Sequence, residues 1–383
     1  MRPTHEQNSL DQILADYDDQ APLTLASTIP APWYTDPAVA ALERAAVFGQ
    51  GWQLAARLDQ LTRPGQYVTC EVAGEPIVLV RGDDGVLRGF FNVCRHHAAA
   101  VMTLPAGQAA QLRCPYHGWT YGLDGALKGV PEFGGVCNFD RAQQGLLPVP
   151  VAIWEKFAFV SLAANPPPLA DWLGDLVRRV AGLGLASLHF AERRVFSLAC
   201  NWKVFVDNYL DGGYHVPHLH KGLNSILDYN HYTIEIADRF CLQSSPIGPP
   251  NPGSSEADGG DDITASVRQG QAQYFWLYPN LMLNWYQGYL DTNLVIPLGP
   301  DRTQVVFEFF FADVSPEASE RNRRSMDVSE RIQDEDHAIC ESVQKGLGSR
   351  AYRQGRLSVR REAGEHLFHQ LLARDLRAGR LRR

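Results

Sequence analysis

The sequence lacks any run of apolar residues long enough to cross a bilayer, so it predicts no membrane span. Its first 20 residues are polar and acidic and lack the basic and apolar regions of a signal peptide, so we expect a cytoplasmic protein. Basic side chains are outnumbered by acidic ones: 35 Lys and Arg against 43 Asp and Glu give a net charge of −8. Since phosphate binding favours an excess of positive charge, nucleic acid is not an expected partner.

Two further absences concern cofactors. The seven cysteines are odd in number and widely spread, so they do not form the disulfide framework of a small secreted domain. In a cytosolic chain the clustered cysteines are better candidates for metal ligands. No glycine-rich fingerprint opens a βαβ unit, so flavin or nicotinamide chemistry must reside in a partner protein.

The length of 383 residues predicts two or three domains. Residues 1–44 are interpreted as an N-terminal arm. Residues 45–163 show short apolar runs separated by turn signals, which predicts a small all-β domain. The run Asn-Pro-Pro-Pro at residues 165–168 interrupts this pattern, and residues 164–383 then mix helical and strand patterns. The fold class is therefore predicted to be α+β.

Local patterns in the second half position its candidate residues. An apolar stripe at helical spacing predicts a helix that begins near Trp202. Ser315, followed by Pro and Glu, predicts the N-cap of a long helix that runs to about residue 345. Residues 246–262 are rich in Pro, Gly and Asp and predict a mobile surface loop. Strands of a second sheet are predicted within residues 274–286, 292–297 and 304–311.

The most specific pattern is a pair of Cys/His clusters. Cys94 and His96 are separated by one residue, and Cys114 and His117 follow them with two residues between. Two thiolates and two imidazoles suit a single zinc ion. They also suit a Rieske [2Fe-2S] cluster, in which two cysteines bind one iron and two histidines bind the other. The all-β surroundings favour the Rieske interpretation, and His97 is the competitor to His96.

A second group of metal-ligand types lies in residues 201–220. A mononuclear iron site for oxygen activation uses two imidazoles and one carboxylate and leaves positions open. Here the apolar helical stripe ends at a Gly-Gly pair and is followed by three histidines. The spacing selects His215 together with either His218 or His220 and leaves that choice open.

The third ligand of such a site must come from elsewhere in the chain. In the helix predicted from Ser315, an apolar stripe contains Val328, Ile332, Ile339 and Val343. Asp336 lies about 30° from the centre of this stripe at 100° per residue, so its carboxylate faces inward. A buried carboxylate is costly unless it is paired or binds a metal. Asp336 is therefore either an iron ligand or an acid paired with an arginine.

With these motifs in place, the sequence resembles the Rieske non-haem iron oxygenases, the large subunits of ring-hydroxylating systems, and within them the choline monooxygenase type. The similarity runs from residues 33–37 to residues 366–369. It implies an all-β Rieske domain at 45–163 and a helix-grip catalytic domain at 164–383. It also implies a homotrimer and a separate reductase that delivers electrons from NAD(P)H.

The resemblance also implies a role for each motif residue. His215 and His220 match the family's iron histidines, and Asp336 matches the iron carboxylate. Asp211 matches the acid that links an iron histidine to a cluster histidine. This acid stands four residues before His215, whereas many family members place it three residues before. The residues that match the [2Fe-2S] ligands are Cys94, His96, Cys114 and His117.

The same resemblance suggests the reaction, which inserts oxygen from O2 into a C–H bond of a small quaternary ammonium compound or methylated amine. A cation without N–H donors is held best by aromatic faces. An aromatic or other small organic substrate would suit the same residues, and an electron carrier without catalysis is a third interpretation. The candidate pocket residues are Asn208, Tyr274, Trp276, Tyr278 and Trp285.

Overall fold

The computed structural model describes residues 9–248 and 270–382. The described chain divides into two compact units. One is formed by Arg44–Trp172, and the other combines the residues up to Glu43 with those from Leu173 onward. Residues 249–262 of the predicted surface loop lie outside the described part of the chain. Among the described helices, none has the length and apolar character needed to cross a membrane.

The unit at Arg44–Trp172 is built from short antiparallel strands arranged in three sheets, and all of its residues are described. The sheet orders are β1-β11-β10, β5-β2-β3-β4-β9 and β6-β7-β8. Two apolar clusters form its core, one of which includes Cys94 and Cys114. The strands are β1 (Trp52–Arg57), β2 (Gln66–Val72), β3 (Glu75–Arg81), β4 (Leu87–Phe91), β5 (Ala106–Gln108), β6 (Leu112–Arg113), β7 (Thr120–Tyr121), β8 (Leu127–Gly129), β9 (Pro148–Val149), β10 (Val151–Trp154) and β11 (Phe157–Ser161).

The larger unit contains a seven-stranded antiparallel sheet within its described residues, in the order β12-β18-β17-β16-β15-β14-β13. Most consecutive strands are neighbours, as expected where short turns join antiparallel strands. The strands are β12 (His189–Leu198), β13 (Thr233–Ile236), β14 (Phe240–Pro246), β15 (Gln271–Leu277), β16 (Leu281–Tyr286), β17 (Tyr289–Gly299) and β18 (Arg302–Phe311).

Helices accompany this sheet, and α6 packs against α9, α10 and strands β17 and β18. The residues of the N-terminal arm pack in this unit as well, since Asn201 Nδ2 donates to the Tyr34 carbonyl at 2.9 Å. The α-helices of the described chain are α1 (Leu10–Ala15), α2 (Ala31–Thr35), α3 (Pro37–Glu43), α4 (Leu169–Leu173), α5 (Leu176–Val180), α6 (Trp202–Leu210), α7 (Val216–Leu219), α8 (Lys221–Ile226), α9 (Ser319–Leu347) and α10 (Ala363–Leu381).

The long helix α9 differs in two respects from its prediction. Ser315 precedes a 3-10 turn at Pro316–Ala318, and its side chain makes no capping hydrogen bond. Of the predicted apolar stripe, Val328 is buried, but Ile339 and Val343 are exposed in the single chain. Ile332 of the stripe also faces inward, and it shares this face with smaller and polar residues where the helix borders a cavity. These residues are Ser329, Gln333, Asp336 and Cys340.

Candidate metal centres and substrate cavity

The two Cys/His clusters of the smaller unit lie on two loops that meet. Cys94 and His96 follow β4, whereas Cys114 and His117 lie between β6 and β7. The Nδ1 atoms of His96 and His117 are 3.2 Å apart. Both cysteines are buried, and burial together with the neighbouring Cys94 raises the pKa of the Cys114 thiol. The structure therefore brings all four predicted residues together.

The burial of these four residues follows their chemistry. The two thiols lie in the apolar core, where the Tyr121 hydroxyl is 3.4 Å from Cys94 Sγ. The two imidazoles lie toward solvent, and the His96 ring stacks on Trp119. A Rieske [2Fe-2S] cluster would take its ligands from two cysteine sulfurs and two histidine nitrogens, which is the donor set present here. The residues present fit such a cluster.

In the larger unit, His215, His220 and Asp336 form a second group. Their potential ligand atoms all lie within 4.8 Å of one another. Asp336 Oδ1 is 3.0 Å from His220 Nε2 and 3.9 Å from His215 Nε2. Two imidazoles and one carboxylate on one side, facing an open cavity, form the donor set of non-haem iron oxygenases. The residues present therefore fit a mononuclear iron.

The local backbone explains why His220, and not His218, joins the group. After α6 the chain turns at Gly212 and Gly213, which both have φ of +68°, a conformation that favours glycine. A Cβ on Gly212 would lie 2.1 Å from the Arg361 carbonyl oxygen, so this close approach requires glycine. The short helix α7 then begins after His215 and ends just before His220, while His218 is exposed.

Carboxylates and an amide hold the three side chains of this group in place. The Nδ1 atom of His215 is 2.6 Å from Asp211 Oδ2, and the Nδ1 atom of His220 is 2.5 Å from Glu335 Oε2. These contacts direct both Nε2 atoms toward Asp336, to which Asn208 Nδ2 donates at 2.8 Å. Carboxylates that bind the second nitrogen of a histidine fix its tautomer and its orientation.

Glu335 was not predicted from the sequence, because it lies farther than Asp336 from the apolar stripe. The sequence did contain a signal for it. Each iron histidine needs a hydrogen-bond acceptor for its other ring nitrogen, and Asp211 supplies one only to His215, so His220 also needed an acceptor. Burial lowers the pKa of His220, but the nearby Asp336 and Glu335 carboxylates outweigh it and raise the pKa overall.

A cavity of about 120 Å³ opens beside this group. Its wall is rich in aromatic rings and side-chain amides, which suits a small organic molecule held by a few polar contacts. Of the five predicted pocket residues, Asn208 and Tyr274 line it. The aromatic members of the wall are Phe205, Tyr209, Tyr232, Tyr274, Tyr286 and Phe307, and the amides are Asn208, Gln243, Asn284, Asn293 and Gln333.

The structure does not place the other three predicted residues in this wall. Trp276 lies on the same face of β15 as Tyr274, and Tyr278 follows the strand, but both are buried, and the Trp276 ring packs against Phe368 of α10. Trp285 lies on the opposite face of β16, where its Nε1 donates to the Leu183 carbonyl. Because side chains alternate along a strand, its neighbours Asn284 and Tyr286 face the cavity instead.

Comparison with known families identifies the protein. Residues 185–378 match the family described as the ring hydroxylating alpha subunit (catalytic domain), and residues 51–140 match the Rieske [2Fe-2S] domain. The chain belongs to the Rieske oxygenases. This membership confirms the predicted α+β fold class, the oxidoreductase class and the two cofactors, which are a [2Fe-2S] cluster and a mononuclear non-haem iron.

This Rieske oxygenase is similar to monooxygenases that act on quaternary ammonium compounds, as their names state. The chloroplastic choline monooxygenase of Arabidopsis thaliana is 37% identical and covers 97% of this chain and 88% of its own length. The carnitine monooxygenase oxygenase subunit of Escherichia coli (strain K12) is 32% identical, and the match covers 91% of this chain and 93% of that protein. Among solved structures, a quaternary ammonium Rieske monooxygenase is 28% identical and matches with a TM-score of 0.81 over 92% of this chain and 96% of its own.

Proposed function

We propose that this Rieske oxygenase is a monooxygenase that inserts one oxygen atom from O2 into a C–H bond of a small quaternary ammonium compound or methylated amine. The observation that carries the proposal is the aromatic cavity beside His215, His220 and Asp336. Aromatic faces bind a cation that has no N–H donors. The names of the relatives, choline and carnitine monooxygenases, support the same substrate class.

We assign the metal ligands from the donor sets of the two groups. Residues 45–163 form the Rieske domain, whose cluster is held by Cys94 and Cys114 through sulfur and by His96 and His117 through nitrogen. Residues 164–383 form the catalytic domain, whose iron is held by His215, His220 and Asp336. When bound, the cluster supplies electrons one at a time, and the iron supplies the activation of O2.

The side chains around the iron site hold and orient the three metal ligands. Asp211 and Glu335 fix the two imidazoles through their Nδ1 atoms, so that both Nε2 atoms face the same point. Asn208 donates to Asp336 Oδ1, the oxygen that lies nearest both imidazoles, and so holds this carboxylate in position. The aromatic wall excludes water and positions the substrate carbon beside this point.

We also propose a homotrimer that receives electrons from a separate NAD(P)H-dependent reductase. In such a ring, Asp211 links His215 to the cluster of the neighbouring subunit, as the family resemblance implies. Sedimentation equilibrium of the holoenzyme should give three times the 42.6 kDa of the chain. The cytoplasmic location stays a prediction. It is supported by the absence of disulfides among the seven cysteines, all of which lie in the described residues, and is tested by cell fractionation.

The substrate class is tested by turnover. The purified protein, loaded with both cofactors and supplied with a compatible reductase and NAD(P)H, should oxidise at least one of choline, glycine betaine, carnitine and γ-butyrobetaine. Product is measured rather than NADH loss, because uncoupled O2 reduction also consumes NADH. If all four compounds fail while an aromatic acid is hydroxylated, the proposal is wrong. Three irons per chain indicate an oxygenase, whereas an electron carrier binds two.

A further inference from the structure

The side-chain amide of Gln333 is buried in the wall of the cavity beside the iron site. Gln333 lies on α9, is only 2% exposed and lines the same cavity as Asp336. Among the described residues, none accepts a hydrogen bond from its Nε2 atom. A buried donor without a partner is costly, because it has given up its hydrogen bonds to water and gained no others. This position therefore calls for an explanation.

Three other side-chain amides of the same wall donate hydrogen bonds to acceptors of the protein itself. These bonds join Asn208 Nδ2 to Asp336 Oδ1 at 2.8 Å, Gln243 Nε2 to the Tyr209 carbonyl at 2.7 Å and Asn284 Nδ2 to Asn293 Oδ1 at 2.8 Å. Each of these bonds ties one part of the wall to another. Gln333 differs from the three amides, since its nitrogen serves no group of the described protein and remains available to a bound molecule.

Gln333 also lies next to a residue of the iron site. It precedes Asp336 by three residues in α9, and residues three apart in an α-helix are neighbours on one face. Both side chains line the cavity. A substrate atom that accepts a hydrogen bond from Gln333 therefore lies beside the group that holds the iron. A contact at this point influences which molecules are positioned for oxidation.

The chemistry of an amide nitrogen decides which part of a substrate it can bind. Its two hydrogen atoms are donors, so its partner must be an acceptor such as an oxygen atom. A quaternary ammonium group cannot be this partner, because its nitrogen carries four carbon substituents and has no lone pair. A hydroxyl oxygen and a carboxylate oxygen can both accept the bond. The Gln333 nitrogen therefore suits an oxygen-bearing substituent of the substrate and not its charged end.

Resting on the proposed function, we propose that Gln333 is a specificity-determining residue whose Nε2 atom donates a hydrogen bond to an oxygen of the substrate. The cavity then prefers ammonium compounds that carry a hydroxyl or a carboxylate over those whose substituents are hydrocarbon only. A site built to bind an oxygen discriminates against the analogue without it, because the donor of the site is then left unpaired. Aromatic rings do not supply this preference, since their faces attract both kinds of cation.

The test measures binding to the iron-loaded protein without O2, by isothermal titration calorimetry. Choline and glycine betaine are compared with ethyltrimethylammonium, which has the carbon skeleton of choline but no oxygen. We expect the wild-type protein to bind at least one of the two oxygen-bearing compounds about tenfold more tightly than ethyltrimethylammonium. The hydrophobic effect alone would give the opposite order, because ethyltrimethylammonium is the most apolar of the three.

The substitution Gln333→Leu replaces the amide by an apolar side chain of similar size. Affinity for the preferred oxygen-bearing compound should fall about tenfold, whereas affinity for ethyltrimethylammonium should stay within about threefold. A loss with choline identifies a hydroxyl as the partner, and a loss with glycine betaine alone identifies a carboxylate. The matched control is Gln287→Leu, the same change at an exposed position between β16 and β17, which should leave all three affinities unchanged.

The proposal is overturned if Gln333→Leu keeps the wild-type preference, or if it loses affinity for all three compounds equally. It is also overturned if the wild-type protein binds ethyltrimethylammonium as tightly as both other compounds. If Gln333→Leu fails to fold, as thermal unfolding would show, the wild-type ligand series decides alone. Failure of the proposed function is a separate result, since it appears as an absence of product from every ammonium compound in the turnover assay.

Discussion

Removal of the Glu335 charge tests the idea that this acid orients an iron ligand. Glu335 Oε2 lies 2.5 Å from His220 Nδ1 on the side of the ring that faces away from Asp336. The substitution Glu335→Gln keeps the length of the side chain and an acceptor oxygen but removes the charge. We expect weaker iron binding, because an imidazole with a carboxylate at its other nitrogen is a better donor to the metal.

The magnitude follows from the exposure of the two partners. Loss of such an outer contact costs about 10- to 100-fold in metal affinity. The Glu335 side chain is 37% exposed, whereas the His220 side chain is 2% exposed. Because solvent screens the carboxylate, we expect the lower end of this range, a loss of about tenfold, or about 1.4 kcal/mol.

Anaerobic titration of Fe(II) against a competing chelator measures this affinity, and the visible spectrum of the [2Fe-2S] cluster reports on the other site. Asp334→Asn is the matched control, since Asp334 is a neighbouring acid on the exposed side of the same helix. The reasoning is refuted if Glu335→Gln binds iron as tightly as wild type. It is equally refuted if Asp334→Asn loses as much affinity.

Three further predictions concern other residues of the larger unit. His220→Ala should release the iron and keep the cluster spectrum, while His218→Ala should keep both by metal analysis; the opposite result would reject our ligand assignment. Asp211→Asn should retain both metals but lose nearly all turnover in the reductase-coupled assay, and normal turnover would remove its proposed linking role. Glu43→Gln removes the carboxylate that lies 2.6 Å from the fully buried Lys203 ammonium and leaves this charge without its counter-ion. It should lower the free energy of unfolding, measured in urea, by about 3–5 kcal/mol at pH 7. Burial lowers the pKa of Lys203, so the folded state loses this proton first as the pH rises, and the deficit should shrink above neutrality; a pH-independent deficit would contradict this cause.

The metal ligands were predictable because Cys, His and Asp are the residue types that bind iron, and their spacing can be read directly from the sequence. Few sequences place Cys and His pairs on two loops of an all-β domain, and the donor set limits the metals that fit. The choice between His218 and His220 was not predictable from spacing alone, because Pro217 and the Gly-Gly turn obscure the helical register there; only the family resemblance selected His220. The close approach of Gly212 to Arg361 sets the direction of the chain, and such a long-range contact is invisible in local spacing.

The cavity was predicted less well than the metal ligands, for two physical reasons. On β16, a shift of one residue separates Trp285, which faces away, from Tyr286, which lines the cavity. On α9, the prediction assumed that the inward face is the most apolar one. That assumption holds for Ile332, but against a cavity the polar Gln333 and Ser329 face inward as well, while Ile339 faces outward.

The contact between Gly212 and Arg361 predicts how shortened variants of the protein will behave. The loop that carries His215 and His220 packs against a residue just before the last helix of the chain, and the Arg361 guanidinium also covers the Tyr229 ring at 3.8 Å. Removal of the residues from Arg361 onward therefore removes the surface against which this loop packs. We therefore expect such a truncated protein to lose the iron held by His215, His220 and Asp336, whereas the residues that hold the [2Fe-2S] cluster lie in the other unit and stay in place.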